Sequence, residues 1–224
     1  MKQFIPNREL DELGTGVVLT YLKKSGTAGL PRCVDIEGIA NSMGLNVVYE
    51  TFAEDDFDKI GFLSDGITPL KIKRGNRTVP FLFPLGTIVV EADLRKERES
   101  GKRRFTIAHE VAHHILGRHN PVPQFQRTFD AERVYSMADK LAASLLMPYF
   151  IVAAALKDFN HGNKLKIFGD EVFAPKDRMI IKKMAAQIGV SFSALLIRIK
   201  ELQMVEYHSI SEYVEAALMT EVIS

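Results

Sequence analysis

Arg104-Phe105-Thr106-Ile107-Ala108-His109-Glu110-Val111-Ala112-His113-His114-Ile115-Leu116 is the stretch on which the reading of this chain turns. Phe105, Ile107, Ala108, Val111, Ala112, Ile115 and Leu116 recur at helical spacing, and Gly117 follows as a stop signal, so the pattern predicts a helix over 105–116. Within it, His109-Glu110-Val111-Ala112-His113 is an HExxH motif. Residues four apart on a helix stand one above the other, so the imidazoles of His109 and His113 can reach a single ion. Glu110, next to the first of them, is then placed to take a proton from a zinc-bound water. Zinc brings the pKa of such a water from about 15.7 to about 7, which makes hydroxide available at neutral pH. The expectation is zinc as cofactor, His109 and His113 as ligands, and Glu110 as catalytic acid/base.

Catalytic zinc ordinarily takes three protein ligands, so one more must come from elsewhere. His119 lies six residues past His113, as in an HExxHxxGxxH pattern. The glycine of that pattern is replaced by Leu116 and arrives one residue late as Gly117. Glu132 and Asp139 lie on a second predicted helix, from about Phe129 to Met147 and stopped by Pro148. They are seven apart and share a face. Asp139 sits among Met137, Ala138, Leu141, Ala142 and Leu145 and is the first choice, with Glu132 and His119 as alternatives. The one cysteine, Cys33, excludes an internal disulfide and a Cys-rich zinc site, so the metal must be held by His and carboxylate.

Outward from the motif, the 224-residue chain has 29 Lys+Arg against 28 Asp+Glu, with 46% hydrophobic and 25% charged residues. Those proportions exclude gross disorder, and a net charge of +1 gives no bulk attraction to nucleic acid or anionic membrane. The first eleven residues lack a basic segment followed by an apolar run. The longest uncharged run, Leu141 to Leu156, is broken by Pro148 and falls short of the roughly 20 residues a bilayer span needs. A cytoplasmic protein without membrane association is expected.

Upstream, helices are predicted over Glu9–Lys24 and after the N-cap candidate Asp35, where Ile36, Ile39 and Met43 precede Gly44. Short β-like runs follow: Asn46–Glu50, Lys59–Ser64, Leu70–Arg74, Thr78–Phe83 and Thr87–Ala92. Asp65-Gly66 and Gly75-Asn76 read as hairpin turns. Asp93–Arg104 is dense in charge and reads as a solvated loop with a first helical turn. Downstream, Tyr149–Asp158 is helical, and Lys176–Leu202 reads as helix, Gly189-Val190-Ser191 turn, helix. Arg178, Lys182, Lys183, Arg198 and Lys200 make a DNA-binding regulator one alternative reading of that element. Ile180, Ile181, Met184, Ile188, Leu195, Leu196 and Ile199 are needed for packing, and the charges then form its solvated side, so direct nucleic-acid binding is not favoured. The fold class is α+β, a short antiparallel sheet packed on a bundle around the HExxH helix, with a C-terminal helical element. The expected domains are a helix and linker over 1–30, a metallopeptidase core over 31–160, and a helical region over 161–224.

The two helices together, Arg104 to Leu116 and then Ala138-Asp139-Lys140-Leu141-Ala142-Ala143-Ser144-Leu145-Leu146-Met147-Pro148, resemble the ImmA/IrrE family of zinc metallopeptidases. Val34-Asp35-Ile36-Glu37-Gly38-Ile39-Ala40 and Ala185 to Leu195 extend the resemblance over roughly Leu30 to Leu202. It implies a small gluzincin-like fold, a cytoplasmic bacterial or phage-related protein, and a protein substrate that is a helix-turn-helix repressor, cleaved to relieve transcriptional repression. Carried over, His109 and His113 are ligands and Glu110 is the acid/base. One departure stands out: the family's third-ligand Glu position is Tyr135 here, a residue that could instead donate to a developing oxyanion or support the site. That departure keeps open a zinc-containing regulatory module that inactivates a repressor without hydrolysis. An extended substrate is expected to add to a strand edge, with Thr87–Ala92 as the candidate.

Overall fold

The structure, a computed structural model, describes residues 5–53, 60–117, 129–169 and 172–214, with backbone alone for 129–135. The chain divides into two compact units, Met1–Pro148 and Tyr149–Ser224.

In the first unit, α1 (Asn7–Lys24) packs along α4 (Phe129–Leu146), which in turn packs along α3 (Ser100–Ile115). The α1–α4 contact is close because Gly14 faces Ser144: a Cβ at Gly14 would lie 2.7 Å from Ser144 Cβ. The Ser144 hydroxyl donates to Asp11 and to the Lys140 carbonyl. Asp35 caps α2 (Ile36–Ser42) as expected, accepting from the Gly38 N–H at 2.9 Å, and it also accepts from the Tyr21 hydroxyl at 2.7 Å.

The strands are β1 (Asn46–Glu50), β2 (Gly61–Leu63), β3 (Leu70–Arg74), β4 (Arg77–Phe81) and β5 (Thr87–Glu91). The α+β expectation holds, but the main sheet is mixed rather than antiparallel. Its order is β1-β5-β2, with β1 and β5 parallel and β2 antiparallel to β5. β5 is central, and Thr87, Ile88, Val89 and Val90 are buried, the continuous apolar run of a strand covered on both faces. Both of its edges are taken, so Thr87–Ala92 offers no free edge to a docking segment. β3 and β4 form a hairpin over one face, where Phe52, Phe62, Leu70, Ile72, Phe83 and Val89 make an apolar cluster. Each fully buried side chain of this kind contributes roughly 1.5–3 kcal/mol.

Gly75-Asn76 is the tight turn of that hairpin, with Gly75 at φ +61° and Arg74 opposite Arg77. Asp65-Gly66 does not close a hairpin, since β2 and β3 lie in different sheets. Asp65 instead accepts from the Ile67 and Thr68 N–H groups and the Thr68 hydroxyl, wrapping a loop. The charged segment before α3 folds as two 3-10 turns, Ala92–Arg95 and Glu97–Glu99, and the start of α3. Its arginines do more than face solvent. Arg103 donates to the carbonyls of Leu94 and Arg95, and Arg104 donates to the Val34 carbonyl at 2.6 Å.

In the second unit, α5 (Tyr149–Asn160) packs on α6 (Pro175–Ile188), and α7 (Phe192–Glu201) follows at a bend of 103°. Gly189 at φ +74° ends α6, and the Ser191 hydroxyl caps α7 by accepting from the Ala194 N–H at 3.1 Å. A small sheet absent from the sequence reading completes the unit: β6 (Leu165–Phe168) pairs with β7 (Val172–Phe173) and, in parallel, with β8 (Val205–His208). The region 161–224, expected to be helical, thus also contains strands, and residues 215–224 lie outside the described ones.

Candidate metal centre

α3 carries two faces. Thr106, Ile107, Ala108, Glu110, Val111 and Ala112 are buried against the sheet and α4, while His109 and His113 are half-buried one turn apart. The two imidazoles meet edge to face, with Nε2 of His109 3.0 Å from Nε2 of His113. Two nitrogens at zinc–nitrogen distances of about 2.0–2.1 Å and a tetrahedral angle stand roughly 3.3 Å apart. The separation of the pair is within a few tenths of an ångström of that value, so these two nitrogens are suited to sharing an ion.

Asp139 reaches this site from α4. Its Oδ1 lies 2.8 Å from His109 Nδ1, on the edge of the ring away from Nε2. The sequence reading placed Asp139 on the ion as third ligand; the geometry sets its carboxylate behind His109 as a hydrogen-bond acceptor. An Nδ1–H donated to that carboxylate leaves Nε2 with its lone pair, which is the tautomer a metal requires. His109 is well withdrawn from water, at 14% side-chain exposure. Burial disfavours its charged form, but the hydrogen bond to Asp139 and the charges of Glu110 and Asp139 outweigh it and raise its pKa above the ordinary value.

Glu110 points from the same turn toward β2. Its carboxylate lies against Gly61, where a Cβ would come 2.7 Å from Glu110 Oε1 and 2.5 Å from the Thr106 methyl. β2 is an edge strand of its sheet among the described residues, as is β1 at the other side. Ile60 accepts from the Glu91 N–H and Ser64 donates to the Thr87 carbonyl, so in antiparallel alternation the main-chain groups of Gly61 and Leu63 point away from β5. The strand reading had located this segment without its role. The available signal was a glycine inside a strand pattern, which marks close backbone approach.

The remaining third-ligand candidates divide as follows. His119 lies outside the described residues, and the side chains of Glu132 and Tyr135 do as well, although α4 carries both positions. No group of three or more His, Cys, Asp or Glu side chains arranged to hold a metal is present among the described residues. In the second unit, Arg178, Lys182 and Lys183 are exposed on α6, whereas Arg198 is 3% exposed and beside Glu201 at 3.5 Å.

A family model described as IrrE N-terminal-like domain, of the peptidase class, matches residues 40–200, a span running from before β1 to the last turn of α7 and holding His109, Glu110, His113 and Asp139. No curated protein matches the chain significantly by sequence.

Proposed function

Because the chain belongs to the IrrE N-terminal-like domain family of peptidases, we propose that it is a zinc-dependent endopeptidase acting in the cytoplasm on a helix-turn-helix repressor, whose cleavage relieves transcriptional repression. The observation that carries the chemistry is the convergence of His109 and His113 Nε2 at 3.0 Å with Glu110 on the adjoining position of the same helix. Zinc, when bound there, supplies Lewis acidity toward a peptide carbonyl and acidifies a water.

The chain's own residues do the rest. His109 and His113 would hold the ion, and Asp139 keeps His109 in the required tautomer. Glu110 accepts a proton from the attacking water as its oxygen bonds to the scissile carbon, then delivers that proton to the departing amine nitrogen as the C–N bond breaks. The main-chain groups of Gly61 and Leu63, which point away from β5 and have no partner among the described residues, would pair with an extended substrate segment beside Glu110. The burial of Arg198 and the exposed Ile197 on α7 favour a protein rather than a nucleic-acid partner for the second unit.

Tyr135, at the family's third-ligand position, supports a second reading: a zinc-containing module that controls a repressor without hydrolysing it. One experiment separates them. Zinc-loaded wild type should cleave a quenched-fluorescent peptide library, a chelator should abolish this, and Glu110→Gln should keep its zinc while losing about 10²–10⁴ in rate. Cleavage that survives Glu110→Gln with zinc bound would remove this centre from the chemistry. Zinc content near zero, without rescue on adding the metal, would remove the metal from both readings.

A further inference from the structure

We propose that Gly61 is a positioning residue for Glu110: its missing side chain is the seat in which the carboxylate rests against the open edge of β2. The proposal deepens the peptidase reading and rests on it for its catalytic consequence. Gly61 is no turn residue; it lies in a regular strand opposite Val90 and does not have a positive φ, so its backbone makes no demand for glycine. The demand comes from α3. β2 lies so low on that helix that a methyl at 61 would sit 2.5 Å from Thr106 Cγ2 and 2.7 Å from Glu110 Oε1.

The two neighbours respond differently. Thr106 is β-branched, buried, and tied by its hydroxyl to the Lys102 carbonyl at 3.0 Å, so its methyl cannot swing away cheaply. Glu110 ends in a flexible side chain, and its carboxylate is the group that gives. An alanine at 61 therefore displaces the carboxylate from the place where a paired substrate backbone would meet it. The three atoms nearest such a methyl belong to Thr106 and Glu110, the third of them, Glu110 Cδ, at 3.5 Å, so no atom of His109 or His113 comes closer than that. A methyl at 61 thus meets Thr106 and Glu110 before either histidine.

The test uses Gly61→Ala, Thr106→Ser and their combination in the full chain. Gly61→Ala should lower kcat about 100-fold on the peptide library, the scale of a misplacement near 1 Å. KM and zinc affinity should stay within about threefold. Adding Thr106→Ser removes the clashing methyl and should restore the melting temperature without restoring kcat. If kcat returns together with the melting temperature, or if Gly61→Ala turns over like wild type, the glycine is a packing residue and the proposal falls.

A metal-free measurement is independent of hydrolysis. Urea unfolding of Gly61→Ala, Glu110→Ala and the double variant should show that the alanine costs less once the carboxylate is gone. Additive costs would refute the seat. A wild type that binds zinc yet cleaves nothing would sink the peptidase reading, while this cycle would still decide whether Gly61 seats Glu110.

Discussion

Replacing Asp139 tests whether its carboxylate orients a ligand or is one. The contact is a charge-assisted hydrogen bond of 2.8 Å to His109 Nδ1, between a ring at 14% exposure and a carboxylate at 53%. The partial exposure of Asp139 screens its charge, so the pair belongs at the modest end of such interactions. Removing an outer partner of a metal-bound histidine typically weakens metal affinity about 10–100-fold, or about 1.4–2.7 kcal/mol.

The two substitutions should split that range. Asp139→Asn retains a carbonyl oxygen that can accept from Nδ1–H and loses only the charge, so about tenfold is expected. Asp139→Ala loses acceptor and charge, frees the ring to rotate, and should approach a hundredfold. The assay is competition for zinc against a chromophoric chelator at pH 7, with His113→Ala as the reference for loss of a true ligand. Unchanged affinity in Asp139→Ala would refute the orienting role. Loss in Asp139→Asn as complete as in His113→Ala would put the carboxylate on the ion itself.

Three further outcomes follow from other parts of the molecule. Gly14→Ala gains helix propensity of about 1 kcal/mol but forces a methyl to 2.7 Å from Ser144 Cβ; overpacking costs about 1–3 kcal/mol, so urea unfolding should show net destabilisation, and a more stable variant would contradict the close α1–α4 contact. Ser191→Ala removes the cap on α7 and should cost about 1 kcal/mol; an unchanged midpoint would mean the cap is idle. Tyr21 donates to Asp35, and this hydrogen bond, burial and the nearby charge raise its pKa from 10.0. A raised folded pKa gives a stabilisation that is complete below pH 10.0 and lost as pH rises through the folded value. Tyr21→Phe should therefore flatten the fall in stability as pH rises above 10.0, and a fall of equal steepness would refute the linkage.

What could be read from the sequence was what is local along the chain. The four-residue spacing of His109 and His113 places both imidazoles without any knowledge of the rest of the fold. Pro148 after α4 and the Gly189–Ser191 turn before α7 are likewise signals carried within a few residues. The misses are long-range. Nothing near Asn46–Glu50 says that its partner is Thr87–Glu91 in parallel, and β6 and β8 are short strands whose partners are far along the chain. Asp65-Gly66 shows the limit from the other side, since its turn chemistry was legible and the strands it would join were not.

Asp139 illustrates how a residue singled out in the sequence can stand in the fold beside a different atom from the one expected. Its apolar neighbours on α4 suggest an inward position, although its side chain is 53% exposed, and seven-residue spacing says that it shares a face with Glu132. Whether its carboxylate meets the Nδ1 or the Nε2 edge of His109 depends on the separation and rotation of α3 and α4, a matter of a few ångströms that side-chain packing decides. The α1–α4 contact at Gly14 and Ser144 bears on that placement, because it fixes how α4 lies against its other neighbour. Helix spacing set by small residues thus selects the chemistry of a carboxylate on the same helix. By the same logic Gly61 sets the depth of β2 on α3, and so two positions without side chains govern where the reactive ones stand.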